Sequence, residues 1–292
     1  MKVFITGGTG FIGSAVIKEL VSNGHEVIGL ARSEQSRKKL TELSAATIDG
    51  SIECPDILRH GARCADAVIH CAFVHNFAEF ADACNTDKQA IEALGEALID
   101  TNKPLVVTSG VPNGAPGHVV AEDDVSDTFT PRVSEAVALP FTKRGVDVRI
   151  VRPARFVYSG SLTNGFIAAL IDIAAQKGES VYVGGGGNHI HAVHVLDLAK
   201  LYLLALEKGK SGAKYQGVGD NAIAFRVIAE AIGRRLNVPV KPITPEQAVA
   251  YFGFFGAIAG ADNPASSEIT RAALGWKPAE PSLLAELASG LD

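Results

Sequence analysis

The residues best equipped for chemistry open the chain. Thr6-Gly7-Gly8-Thr9-Gly10-Phe11-Ile12-Gly13 follows an apolar run, Val3–Ile5, and leads into an amphipathic stretch, Gly13–Asn23. The glycines fit the spacing TGxxGxxG in a strand–turn–helix setting. Gly7 suits the sharp turn, Gly10 lets the backbone approach a pyrophosphate, and Gly13 lets the helix pack close to the sheet. The helix N-terminus then faces the negative charge. Gly7, Thr9, Gly10, Phe11, Ile12 and Gly13 are therefore expected to hold a dinucleotide.

The end of the next strand selects the nucleotide. NAD sites place an acid there to accept from the ribose 2′-hydroxyl. Here the chain reads Leu30-Ala31-Arg32-Ser33. Arg32 offers a forked donor to a 2′-phosphate, and Ser33 adds a hydrogen bond. Arg37 and Lys38 follow nearby; Glu34 is the competing acid. NADP is the expected cofactor, with NAD the alternative. Asp49 is placed to accept from the adenine amino group, or serves as a turn former before Gly50.

The elements that position these residues alternate. Strands are expected over Val3–Ile5, Glu26–Leu30, Ala46–Ile48, Ala67–Cys71, Leu105–Thr108 and Val146–Val151, with helices over Gly13–Asn23, Glu34–Leu43 and Phe77–Asp100 between them. Apolar runs without alternation mark strands buried on both faces of a parallel sheet. The second half is less regular. Tyr215–Val218 reads as a further strand and Phe225–Leu236 as an amphipathic helix. The expected fold is a Rossmann-type, doubly wound α/β sheet over residues 1–155. A smaller substrate lobe occupies 156–292, with segments near 190–220 returning to the sheet.

Composition bounds the partners. The 292 residues carry a formal net charge of −5, which leaves no basic excess for nucleic acid. Cys54, Cys64, Cys71 and Cys84 show no CxxC spacing, so reduced thiols of a cytoplasmic protein are expected. The early strand is unlike a signal peptide, and the longest apolar run, Ala248 to Ala261, is too short to span a bilayer. A small-molecule substrate and a monomer or homodimer are expected.

Together these residues resemble the extended branch of the short-chain dehydrogenase/reductase superfamily, over almost the whole chain. Val68-Ile69-His70-Cys71-Ala72 resembles the fourth strand, which passes under the nicotinamide ribose, so Ala72 joins the cofactor set. Val106-Val107-Thr108-Ser109 resembles the fifth strand and its active-site serine. Arg152-Pro153 with Val157-Tyr158, Val193–Ala199, and Leu274-Gly275-Trp276-Lys277-Pro278 resemble later junctions of the family.

The family's acid–base pair is a Tyr with a Lys four residues on. The five tyrosines here are followed at that spacing by Leu162, Gly186, Leu206, Gly219 and Phe255, so no YxxxK occurs. The helix expected to carry it reads Pro131-Arg132-Val133-Ser134-Glu135-Ala136, where Arg132 and Glu135 have the spacing of an ion pair. Asp87 replaces the family's Asn. The resemblance gives Ser109 the task of orienting a carbonyl. His75, beside Asn76, and Tyr158 are the candidate proton donors, with water as the alternative. His189, His191 and His194 have the composition of a metal cluster but lie along an irregular strand, and no metal is expected. No GxSxG elbow for a hydrolase is present.

The segment Tyr251–Gly260 is apolar and glycine-rich, suited to core, a pocket roof or a dimer contact. Arg226, Arg234, Arg235 and Arg271 are available to a diphosphate or form a solvated face. Three functions are open on this reading. First is an NADP-dependent reductase of a small or hydrophobic carbonyl compound, using a non-standard proton donor. Second is a non-catalytic NADP-binding sensor or scaffold. Third is a sugar-nucleotide epimerase or dehydratase.

Overall fold

The computed structural model describes residues 1–75, 79–115, 117–125 and 131–289. Its first half repeats a strand–helix unit: β1 (Lys2–Thr6), α1 (Phe11–Ser22), β2 (Glu26–Ala31), α2 (Glu34–Glu42), β3 (Ala46–Asp49), α3 (Pro55–Arg63), β4 (Ala67–His70), α4 (Phe80–Ala97) and β5 (Pro104–Thr108). After α5 (Ser134–Ala138) come β6 (Asp147–Pro153) and β7 (Phe156–Tyr158). The second half adds α6 (Gly165–Lys177), β8 (Ser180–Val183), β9 (His189–His194), α7 (Val195–Lys208), β10 (Lys214–Gly217), β11 (Asp220–Ala224) and α8 (Phe225–Leu236). It ends with β12 (Val240–Ile243), α9 (Pro245–Phe252), α10 (Gly256–Gly260), α11 (Glu268–Leu274) and α12 (Leu283–Ala288).

Seven strands form one parallel sheet in the order β10-β6-β5-β4-β1-β2-β3. The order reverses between β1 and β4, which opens a crevice at the C-terminal ends of the strands. Val3, Phe4 and Ile5 are fully buried, because alternate residues meet helices on opposite faces. Val3 and Ile5 join the core beside α1 and α7, and Phe4 joins that beside α3 and α4. Each such side chain contributes about 1.5–3 kcal/mol by leaving water.

The helix after the glycine loop starts at Phe11, two residues before the expected Gly13, so Gly13 lies in its first turn. α3 has no counterpart among the expected helices, and it contains both Pro55 and Gly61. Pro55 occupies the first turn, where its missing N–H costs nothing. The helix expected from Phe77 is seen from Phe80; Phe77 and Asn76 lie outside the described residues.

The remaining strands make a three-stranded sheet, β11-β9-β7, and the pair β12-β8. A separate apolar core joins these to α6, α8 and α9. β10 runs back to pair with β6 in the large sheet. Asp197, buried in the first turn of α7, staples the late chain: its carboxylate accepts from Ala279 and Glu280 N–H, and its carbonyl from Trp276 Nε1 at 2.9 Å.

Candidate active site

The glycine loop is shaped by contacts that allow no side chain. Gly7 has φ +72°, and a Cβ there would lie 2.6 Å from Ala72 N. Ala72 thus closes directly on the loop. A Cβ on Gly13 would lie 2.2 Å from Gly7 O. Gly10 N donates to Gly7 O at 2.9 Å, and Gly10 caps α1 without a side chain. Phe11, Ile12 and Gly13 therefore present first-turn N–H groups, which have no partner within a helix. Lys39 Nζ donates to Thr9 O at 2.7 Å and adds positive charge beside the loop. These features fit a dinucleotide phosphate.

Arg32 follows β2 directly and is exposed, with no ion pair among the described residues. Ser33 caps α2, accepting Ser36 N–H at 3.1 Å. Glu34, the acid that would oppose a phosphate, is paired with Arg37. Arg37 also grips Asp49 through two bonds, 3.1 and 2.8 Å. Asp49 is therefore an ion-pair partner at the end of β3, and both of its oxygens are engaged. This competes with the expected adenine contact.

The strand ends beyond the loop carry two buried polar chains. In the first, Ser109 Oγ donates to Glu135 Oε1 at 2.6 Å. Glu135 in turn receives Arg152 Nε and Nη2, both at 2.7 Å, with Arg152 fully buried. Arg152 also donates to the carbonyls of Glu122 and Asp124. The Ser109 proton is thus committed to a carboxylate. It is not offered to a substrate carbonyl, contrary to the role expected from the resemblance. Glu135 forms an ion pair across the fold with Arg152, while Arg132 lies just before α5 instead of sharing a helix with it.

In the second chain, Thr6 Oγ1 meets His70 Nδ1 at 2.8 Å, and His70 Nε2 meets Asp87 Oδ1 at 3.1 Å. Ser134 Oγ donates to Asp87 Oδ2 at 2.6 Å, and Arg132 Nε donates to Ser134 Oγ at 3.2 Å. Burial opposes the charge on Asp87, but His70, Arg132 and Ser134 overrule it and hold its carboxyl below the usual range. Asp87 is thus the anion on which the donors converge. Arg132 Nη2 donates to Thr108 O at 3.1 Å, and its guanidinium lies 4.5 Å from the Phe73 ring centroid.

His75 stands edge-on to Phe73, centroids 5.7 Å apart. Although it keeps an exposed surface, partial desolvation and the Arg132 charge lower its pKa against a raising backbone bond at Phe73. Its imidazole is therefore mostly neutral at pH 7. Tyr158 is elsewhere: its hydroxyl donates to Pro281 O at 2.8 Å and Asp220 Oδ2 at 3.3 Å, and burial with nearby carboxylates raises its pKa. Tyr158 ties the lobe together, so the structure turns it away from the proton-donor role. Cys71 is likewise quiet, its thiol pushed up to about 11 by burial.

The three histidines of β9 serve three different partners. His189 pairs with Asp262, His191 accepts Arg155 N–H, and His194 caps α7. His191 is driven down to about 3 by burial and by Arg155, so it is a neutral packing residue. Arg226 pairs with Glu230 one turn on. The apolar segment divides: Phe252 is buried core, whereas Phe254 is 46% exposed and reaches Phe80 with ring centroids 6.1 Å apart.

Sequence reasoning missed the Glu135–Arg152 pair. Its signal was present, because a cation inside the buried strand Asp147–Pro153 needs a carboxylate partner.

Comparison with known proteins accords with this site. Residues 3–98 match the model of the NAD dependent epimerase/dehydratase family. An uncharacterized protein of Saccharomyces cerevisiae is 44% identical, covering 98% of this chain and 98% of its own. A 4-hydroxy-2-methyl-3-oxo-4-farnesyl-3,4-dihydroquinoline-1-oxide ketoreductase of Stigmatella aurantiaca is 27% identical, covering 87% of this chain and 80% of its own. The fold is shared with a dTDP-glucose 4,6-dehydratase from Streptomyces venezuelae solved with NAD and TYD bound. That structure has a TM-score of 0.80 at 21% identity, covering 100% of this chain and 96% of its own.

The chain belongs to the NAD-dependent epimerase/dehydratase family, within the extended short-chain dehydrogenase/reductase superfamily. That membership places it among the NAD(P)-dependent oxidoreductases. No described helix is long and apolar enough to cross a membrane.

Proposed function

We propose that the protein is an NADP-dependent reductase of a hydrophobic carbonyl compound, working in the cytoplasm. The observation that carries the substrate class is a row of rings joining the two lobes. Phe73 meets Phe80 at 6.0 Å, Phe80 meets Phe254 at 6.1 Å, and Phe255 meets Phe166 at 5.0 Å between centroids. This row starts at the strand ends beside His75 and presents apolar surface suited to a hydrocarbon group.

Gly7, Thr9, Gly10, Phe11, Ile12 and Gly13 would hold the pyrophosphate, with Ala72 under the ribose. Arg32 and the Ser33 cap would take the 2′-phosphate, which the Arg37–Glu34 pair leaves unopposed. When bound, the nicotinamide supplies hydride to the carbonyl carbon, which becomes an alcohol once its oxygen takes a proton. That proton comes from His75 or from water. A His75 pKa below the ordinary value makes the imidazole a stronger acid when protonated but rarely protonated at pH 7. Turnover that depends on it falls as pH rises through neutrality. Free thiols at Cys54, Cys64, Cys71 and Cys84 support a reducing compartment.

The cofactor choice is tested by titrating NADPH and NADH onto the protein. NADPH should bind more tightly by about 1.5–3 kcal/mol, the value of a charge-assisted contact. Arg32→Ala should erase that margin and leave NADH binding unchanged. Equal affinities in the parent protein would sink the NADP assignment. A panel of long-chain ketones and aldehydes that leaves NADPH unoxidised would sink the reductase.

A further inference from the structure

Arg132 lies beside the C-terminal end of β5 and has no ion-pair partner among the described residues. Among the described residues its hydrogen bonds run to neutral oxygens, Ser134 Oγ and Thr108 O. Among the described residues no carboxylate lies within ion-pair distance of it. Asp87 is reached only through Ser134. A guanidinium carries five N–H donors, so both donors on Nη1 lack a partner among the described residues. The group is half-buried, and the Phe73 ring covers one of its faces at 4.5 Å.

Such a group is held rigidly. Thr6, His70, Asp87 and Ser134 form a continuous chain of hydrogen bonds ending at Arg132 Nε, and Thr108 O fixes Nη2. The chain would be an extravagant way to hold a merely solvated charge. Nη1, unclaimed among the described residues and partly shielded from water, offers a donor edge that suits an anion better than a neutral oxygen. Away from that edge the surface turns apolar at once, through Phe73, Phe80 and Phe254.

We propose that Arg132 binds the carboxylate of the substrate, which is an apolar oxo acid with its hydrocarbon part along the Phe73–Phe80–Phe254 row. This rests on the reductase reading for the carbonyl, while the anion site is a property of the chain itself. Asp87 and Ser134 are positioning residues: they set the direction in which Nη1 points.

The experiment compares octanoate with octanamide, which share a chain and differ in charge. Both are titrated calorimetrically onto the full-length protein, with and without NADP+. Octanoate should bind at least tenfold more tightly than octanamide. Arg132→Gln should abolish that preference, and Arg132→Lys should keep part of it, with NADP+ affinity and circular dichroism unchanged in both. Ser134→Ala should narrow the preference without removing it, since the charge stays but its aim is loosened. Equal affinity of the two probes for the parent protein, in both forms, overturns the proposal and leaves the reductase reading intact. A preference that survives Arg132→Gln also overturns it. Failure of NADP+ to bind would strike the reductase reading instead, and the cofactor-free titration would still decide the anion site.

Discussion

The glycine loop and the Arg132 end of the crevice solve the same problem at different ranges. At the loop, the decisive contacts lie between Gly7, Gly10 and Gly13, a few residues apart in one turn. At the Arg132 end, Thr6 and His70 are 64 positions apart and Asp87 and Ser134 are 47 apart. The loop omits side chains, which leaves its backbone N–H groups open to a phosphate in the proposed site. The other end is built by arranging side chains, each of which depends on its partner for its position. The proposed cofactor site is thus a local property of this chain, and the proposed substrate site is a property of the assembled sheet.

The sharpest way to break the second region is at its buried ion pair. Arg152→Met leaves the Glu135 carboxylate buried without its cation and should cost about 3–5 kcal/mol of stability, read from urea denaturation. Adding Glu135→Leu to that variant should recover most of the loss, because the uncompensated charge is gone. A single variant as stable as the parent would show that the pair does not hold the strand ends together.

The first region breaks at Gly13. Gly13→Ala puts a methyl 2.2 Å from Gly7 O, and backbone must shift to admit it. Overpacking of this kind costs about 1–3 kcal/mol, and it should appear chiefly as weaker NADPH binding. Fluorescence titration of the reduced nicotinamide checks this. Stability lost without affinity would mean that the loop serves the fold more than the cofactor.

Tyr158 sharpens the contrast with the smallest effect. Tyr158→Phe removes the hydrogen bonds to Pro281 and Asp220 and should cost about 1 kcal/mol in a denaturation experiment. NADPH affinity should not change. A large loss of turnover at intact stability would return Tyr158 to the reaction.

The parallel sheet, the glycine spacing, Arg32 at the end of β2 and the lack of a YxxxK are all legible in the residues alone. Each of these is written in residue type and spacing over a few positions, where sterics and hydrophobic periodicity act directly. The helix Pro55–Arg63 is not among the expected elements; Pro55 fits its first turn, and Gly61 is packed so closely on Phe4 that only the tertiary structure explains it. Tertiary structure alone decided which polar groups meet. Ser109 looked free to hold a carbonyl until Glu135 took its proton. Arg132 and Glu135 looked like a helical pair until Arg152, buried on β6, claimed the carboxylate. A buried charge takes the partner that best repays its desolvation, whatever the sequence separation. Among the described residues Arg132 is left with Nη1 unclaimed, and spacing along the chain contains no trace of it.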